Sequence, residues 1–199
     1  MIRKNLVFLF MFLLLMLLSS PSNALTIAGI NLDDNAFVDE VISYGGSLSG
    51  PYGTSGIVGS DMDTYVTLLS GSFLEVAFTN NTLYNGAGYD AVFFELAAPE
   101  SSNVAVEFGG SFVTVAMTNS GYYSPGHHYQ INVGYLELSL LGIAENETVD
   151  NLIIYGNPGQ DLSGVAALNN DPVPEPATML LLGSGLMGLA GYRRKIKKV

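Results

Sequence analysis

Val104-Ala105-Val106-Glu107-Phe108-Gly109-Gly110-Ser111-Phe112-Val113-Thr114-Val115 decides the fold. Val104, Val106 and Phe108 alternate with Ala105 and Glu107, the two-residue period of a strand with one buried face. Gly109-Gly110 supplies two positions that tolerate positive φ, which a two-residue hairpin loop needs, and a second strand-like run follows. The stretch predicts an antiparallel hairpin.

The same texture extends outward from Asn31 to Asn170. Candidate strands are Thr64–Leu69, Phe73–Thr79, Ala91–Leu96, Val104–Phe108, Phe112–Thr118, Tyr135–Leu141 and Leu152–Tyr155. Leu74, Val76 and Phe78 alternate with Glu75 and Ala77. Turn signals separate the runs: Gly45-Gly46, Asn80-Asn81, Asn85-Gly86 and Pro158-Gly159. Ala91–Leu96 is apolar on both sides apart from Glu95 and is expected at a sheet centre. No segment here keeps a helical period. The expectation is all-β, an antiparallel β-sandwich of jelly-roll type.

The ends read differently. Arg3 and Lys4 precede an apolar run, Leu6 to Leu18, and then Ser22-Asn23-Ala24. A run this short with small residues at Ser22 and Ala24 predicts a secretory signal over residues 1–24, cut by signal peptidase between Ala24 and Leu25. At the other end, Pro174-Glu175-Pro176 precedes a short apolar helix predicted over 177–192, about 24 Å long. A basic cluster follows, beginning Arg193, Arg194, Lys195, which should stop transfer and stay inside. The expected organisation is signal peptide 1–24, domain 25–171 and tail 172–199.

Charge placement narrows the function classes. The chain has 18 acidic and 7 basic residues, and every basic one lies at an end. A domain without Lys or Arg repels phosphate backbones, so nucleic acid is excluded as a partner. There is no Cys, hence no disulfide and no thiolate chemistry.

The tail resembles the PEP-CTERM sorting signal of Gram-negative bacteria: a Pro-Glu-Pro motif, a short hydrophobic helix and an arginine-rich end, in order. The resemblance implies recognition of Pro174, Glu175 and Pro176 by an exosortase, a membrane transpeptidase. It also implies an association with exopolysaccharide and biofilm. The glycines at 183, 185, 188 and 191 weaken the helix, which suits presentation to a processing enzyme better than lasting anchorage. Within the domain, Gly88-Tyr89-Asp90-Ala91-Val92-Phe93-Phe94-Glu95 and Gly159-Gln160-Asp161-Leu162-Ser163-Gly164-Val165-Ala166-Ala167-Leu168 are similar to stretches of secreted bacterial β-sandwich proteins. Ser163 stands where those have an acidic residue.

Candidate site residues are few. Asp61-Met62-Asp63 offers two alternate carboxylates, and Asp90 and Asp161 complete a candidate Ca²⁺ ligand set, against the plainer reading of solvated turn carboxylates. His127-His128, if in a strand, would point to opposite faces and not share a metal. Tyr122-Tyr123 and Tyr129 flank that pair and form a candidate sugar-stacking face, with Tyr52 elsewhere. No Gly-x-Ser-x-Gly elbow occurs, and no carboxylate pair is singled out for glycoside hydrolysis. The expected role is a non-enzymatic exported surface or matrix protein. A carbohydrate-binding module and a carboxylate-dependent glycoside hydrolase are the alternatives.

Overall fold

The computed structural model describes residues 24–97 and 102–172, together with Gly185. In chain order the strands are β1 (Ala24–Ile27), β2 (Ile30–Asp33), β3 (Glu40–Gly45), β4 (Leu48–Ser49), β5 (Val66–Leu68), β6 (Phe73–Ala77), β7 (Asn81–Tyr84) and β8 (Ala91–Ala97). They continue with β9 (Asn103–Phe108), β10 (Ser111–Ala116), β11 (Thr118–Tyr123), β12 (Gln130–Leu136), β13 (Thr148–Val149), β14 (Asn151–Tyr155), β15 (Gln160–Ala167) and β16 (Asn170–Pro172). Two short 3-10 turns, Gly53–Ile57 and Leu138–Leu141, interrupt them.

Two antiparallel sheets dominate. One has the order β10-β9-β14-β6-β3, the other β11-β12-β8-β15-β5-β4. Leu74, Val76, Val104, Val106, Leu152 and Ile154 project from the first sheet into a core shared with Val66, Leu68, Phe93, Leu136, Leu162 and Val165 of the second. This is the sandwich that the alternation predicts. The β9–β10 hairpin closes through Gly109 (φ 58) and Gly110 (φ 86), with Ser111 paired to Phe108. Two consecutive positive φ values are what such a loop requires.

The six-stranded sheet is buried on its outer face as well. Val92, Phe94, Leu96, Ile131, Val133 and Ala166 pack under Ile27 and Leu32 of the β1–β2 hairpin, Phe37 and Met62. Phe37 stacks on Phe94 at 6.3 Å between ring centroids. Strand β8 therefore has no wet face, which is why Ala91–Leu96 reads as a nearly continuous apolar run. Its one carboxylate, Glu95, is 2% exposed and accepts hydrogen bonds from the Ser102 hydroxyl (2.6 Å) and Asn132 Nδ2 (3.1 Å).

The structure redraws several expected strands. Tyr135–Leu141 is not one strand. Strand β12 ends at Leu136, and the following Leu138–Leu141 is a 3-10 turn that Gly142 (φ 85) terminates. The chain turns there because buried Asp90 takes the Leu138 N–H at 2.7 Å. Phe112–Thr118 divides at Met117, whose buried side chain marks the crossing from the five-stranded sheet (β10) to the six-stranded one (β11). Thr64–Leu69 shortens to β5. Strand β15 was not among the expected strands, although it lies between β8 and β5.

Candidate functional site

The loop from Tyr123 to Gln130 carries the histidine pair and is closed on itself. Ser124 N–H donates to the Tyr129 carbonyl at 2.7 Å, and Tyr129 N–H donates to Ser124 Oγ at 3.2 Å. Asp63 clamps it from the neighbouring loop. Gly126 N–H reaches both Asp63 oxygens (2.9 and 2.7 Å) and His127 N–H reaches Oδ1 (3.0 Å). Glycine at 126 permits this, because a Cβ would meet Asp63 Oδ2 at 2.7 Å. Partial burial pushes the Asp63 carboxyl up. Hydrogen bonds from the His127 backbone, the Ser124 hydroxyl and the Gly126 backbone outweigh it, with the His127 charge, and hold it below the ordinary aspartate range.

The clamp sets an aromatic row in place. His127 lies against Tyr129 (5.6 Å between centroids), Tyr129 meets Tyr65 edge to face (6.3 Å), and Tyr65 meets Tyr52 edge to face (6.2 Å). Tyr52, expected elsewhere, thus joins the row through Tyr65, which sequence reasoning missed. Burial raises the Tyr65 phenol, helped by the negative charge of Asp161 and the neighbouring Tyr129 and Tyr52. Asp161 is itself raised by burial, against the lowering effect of its hydrogen bond from Thr67 Oγ1 at 2.6 Å. Tyr122 belongs to a different surface: its ring lies against Gly29 at the β1–β2 turn.

The four aspartates of the expected Ca²⁺ set are not assembled. Asp61 accepts the Asp63 N–H (3.0 Å) in its own turn. Asp63 holds the 126–127 backbone. Asp90, 0% exposed, accepts from Gly86 N–H (2.8 Å), Leu138 N–H (2.7 Å) and Asn169 Nδ2 (2.7 Å). Ala91 pairs with Ala167, six residues along β15 from Asp161, so Asp90 and Asp161 lie ~20 Å apart at strand spacing. Among the described residues no three His, Asp or Glu side chains are grouped to hold a metal ion. Asp61, Asp63 and Asp90 fasten turns and loops, while Asp161 accepts the Thr67 hydroxyl across the β15–β5 pair. His127 and His128 lie in the loop, not in a strand, with His128 at φ 56.

Strand β16 pairs with β7, joining Asn170 to Leu83 and Pro172 to Asn81. Its last residue is two short of Pro174. Pro174, Glu175 and Pro176, the helix expected over 177–192 (apart from Gly185) and Arg193, Arg194 and Lys195 lie outside the described residues, as does most of the segment 1–24. Among the described residues no helix is long and apolar enough to cross a membrane. Ala24 and Leu25 open β1.

A β-sandwich whose final strand runs straight into a Pro-Glu-Pro tail defines an exported protein that carries its own sorting signal. That signal is a PEP-CTERM protein-sorting motif, matched over residues 172–195. A chain bearing it is exported and sorted by an exosortase, its C-terminal tail held in the membrane before processing. No curated protein matches the chain. Among solved structures, the catalytic unit of the thermostable GH87 alpha-1,3-glucanase from Streptomyces thermodiastaticus strain HF3-3 is similar at 15% identity and TM-score 0.40, over 67% of this chain and 25% of that one. This chain thus spans a quarter of that unit. CsCBM6-3 from Clostridium stercorarium, in complex with cellobiose, is similar at 14% identity and TM-score 0.37, over 66% of this chain and 93% of that one. Likenesses at this level carry no inference about the chemistry of this chain.

Proposed function

We propose that the chain is a non-enzymatic protein of the cell surface or extracellular matrix, associated with exopolysaccharide and biofilm. Signal peptidase frees the domain at Leu25, and an exosortase recognises Pro174, Glu175 and Pro176. The observation that carries this reading is the PEP-CTERM motif at 172–195 joined without a spacer to a folded acidic domain. Two further features support it. The domain has no Lys or Arg to bind anionic polymers of the cytoplasm, and its candidate-site carboxylates are each engaged by hydrogen bonds within the fold.

Intact mass of the protein from its native cells, fractionated into membrane and medium, tests the reading. A species starting at Leu25 and ending near Glu175, absent from a Pro174→Ala/Pro176→Ala variant, is the expected result. A membrane species still ending at Val199 in the wild type would make the tail a plain anchor.

A further inference from the structure

Among the described residues, no second sheet covers the outward face of the five-stranded sheet. Strand register lines up Ser43, Glu75, Ile153, Glu107 and Phe112 in one row across β3, β6, β14, β9 and β10. The adjoining row begins Gly45, Phe73, Tyr155 and Ala105. Three rings converge there: Phe73 to Tyr155 at 5.9 Å and Tyr155 to Phe112 at 5.7 Å between centroids. Phe112 is 61% exposed, an unusual place for phenylalanine within a strand. A side chain at Gly45 would collide with the Phe73 ring, so glycine there lets the ring lie over the sheet edge.

Two carboxylates bracket this ridge. Glu75 and Glu107 both pair with Ile153, from opposite sides, which sets their backbones ~10 Å apart. Both are fixed in direction. Glu75 accepts the Ser43 hydroxyl at 2.6 Å and Asn151 Nδ2 at 2.6 Å, and Glu107 accepts the Tyr155 hydroxyl at 2.7 Å. A carboxylate has about four acceptor positions, so each keeps acceptor capacity for a ligand.

We propose that this face docks a neutral polysaccharide chain. The inference rests on the matrix reading above and adds the site and the ligand class. An occupant must lay apolar C–H faces on Phe73, Tyr155 and Phe112 and bring hydroxyl donors to Glu75 and Glu107. It must also lack negative charge, since the domain offers no Lys or Arg to neutralise it. A neutral glycan meets all three conditions. A second copy of this chain does not, because it would set four glutamates against one another.

The test is affinity electrophoresis of the full-length protein in detergent. Native gels contain either the neutral or the acidic fraction of the producing cells' exopolysaccharide, separated by anion exchange. The neutral fraction slows the wild type and the acidic fraction does not. Phe112→Ala and Tyr155→Ala each weaken the retardation about tenfold, the loss of roughly one stacking contact. Phe112→Ala keeps the wild-type melting temperature, because its ring is mostly exposed. Wild-type mobility unaffected by the neutral fraction overturns the ligand assignment, while the mass measurement judges export and sorting separately. Equal retardation of wild type and both variants leaves polysaccharide association standing and overturns this face as its site. A smaller oligomer for the variants than for the wild type would make the face a self-association surface and overturn the proposal.

Discussion

Asp63 and Asp161 are shifted in opposite directions from the ordinary aspartate value. Asp63 receives three backbone hydrogen bonds, and its folded-state value lies below the ordinary one. Its contribution to stability is therefore complete above about pH 4 and is lost as acid protonates it. Asp161 is raised by burial, so its ionised form costs stability at neutral pH, and that cost disappears as pH falls through its folded value. Asp63→Asn is expected to lower the melting temperature at pH 7 by about 3 °C. That corresponds to about 1 kcal/mol for weakened hydrogen bonds at a partly exposed, solvent-screened carboxylate. The difference should close as pH falls through the lowered folded-state value of Asp63. Asp161→Asn keeps an oxygen for Thr67 and is expected to melt higher at pH 7, with its advantage fading in acid. Calorimetric melts from pH 3 to 7 check both; parallel curves at all pH values would refute the assignment. The sequence exposed these aspartates as a group but not their separation, because Asp63's partners are backbone amides 63 and 64 positions away.

At the scale of elements, local chemistry made some strands legible and hid others. The β9–β10 hairpin was readable because alternation and a Gly-Gly loop agree. Strand β8 was readable because both of its faces are dry. Strand β15 was not, since Ser163, Gly164, Ala166 and Ala167 lack the branched and aromatic side chains that mark strands. Their smallness has a packing reason: Ala166 forms a bridge with Phe37, and a Cβ on Gly164 would meet Met62 Cε at 2.9 Å. The small residues leave room for Phe37, Phe94 and Met62. The aromatic ridge of the other sheet was equally hidden, because Phe73, Phe112 and Tyr155 are brought together only by cross-strand register. Ala166→Leu is expected to destabilise by about 1–3 kcal/mol through overpacking. Urea unfolding would read this as a lower midpoint at unchanged slope; an unchanged midpoint would mean the layer around Phe37 is loosely packed.

For the whole molecule, the order of the chain constrains when it can be sorted. Strand β14 sits between β6 and β9, and β15 sits between β5 and β8. Neither sheet is continuous until residues 151–167 have arrived. Such long-range closure folds slowly compared with local hairpins. Strand β16 then ends at Pro172, where the sorting motif begins, and Glu175 lies three residues beyond. An extended chain covers ~10 Å in three residues, less than the depth of two packed sheets. On the proposed reading, in which an exosortase recognises Pro174, Glu175 and Pro176, the folded domain is tethered very close to that enzyme, and β16 is the element best placed to yield. It holds three residues, pairs among the described residues only with β7 and contains a proline that cannot donate to the ladder. Inserting about ten Gly/Ser residues after Pro172 gives a flexible reach of ~18 Å and leaves the β7–β16 pairing intact. Pulse-chase labelling should then show the full-length membrane form converting faster than wild type, with the same final mass for the domain apart from the insert. Conversion at the wild-type rate would show that the enzyme reaches the motif without disturbing β16, and that the junction sets no limit on sorting.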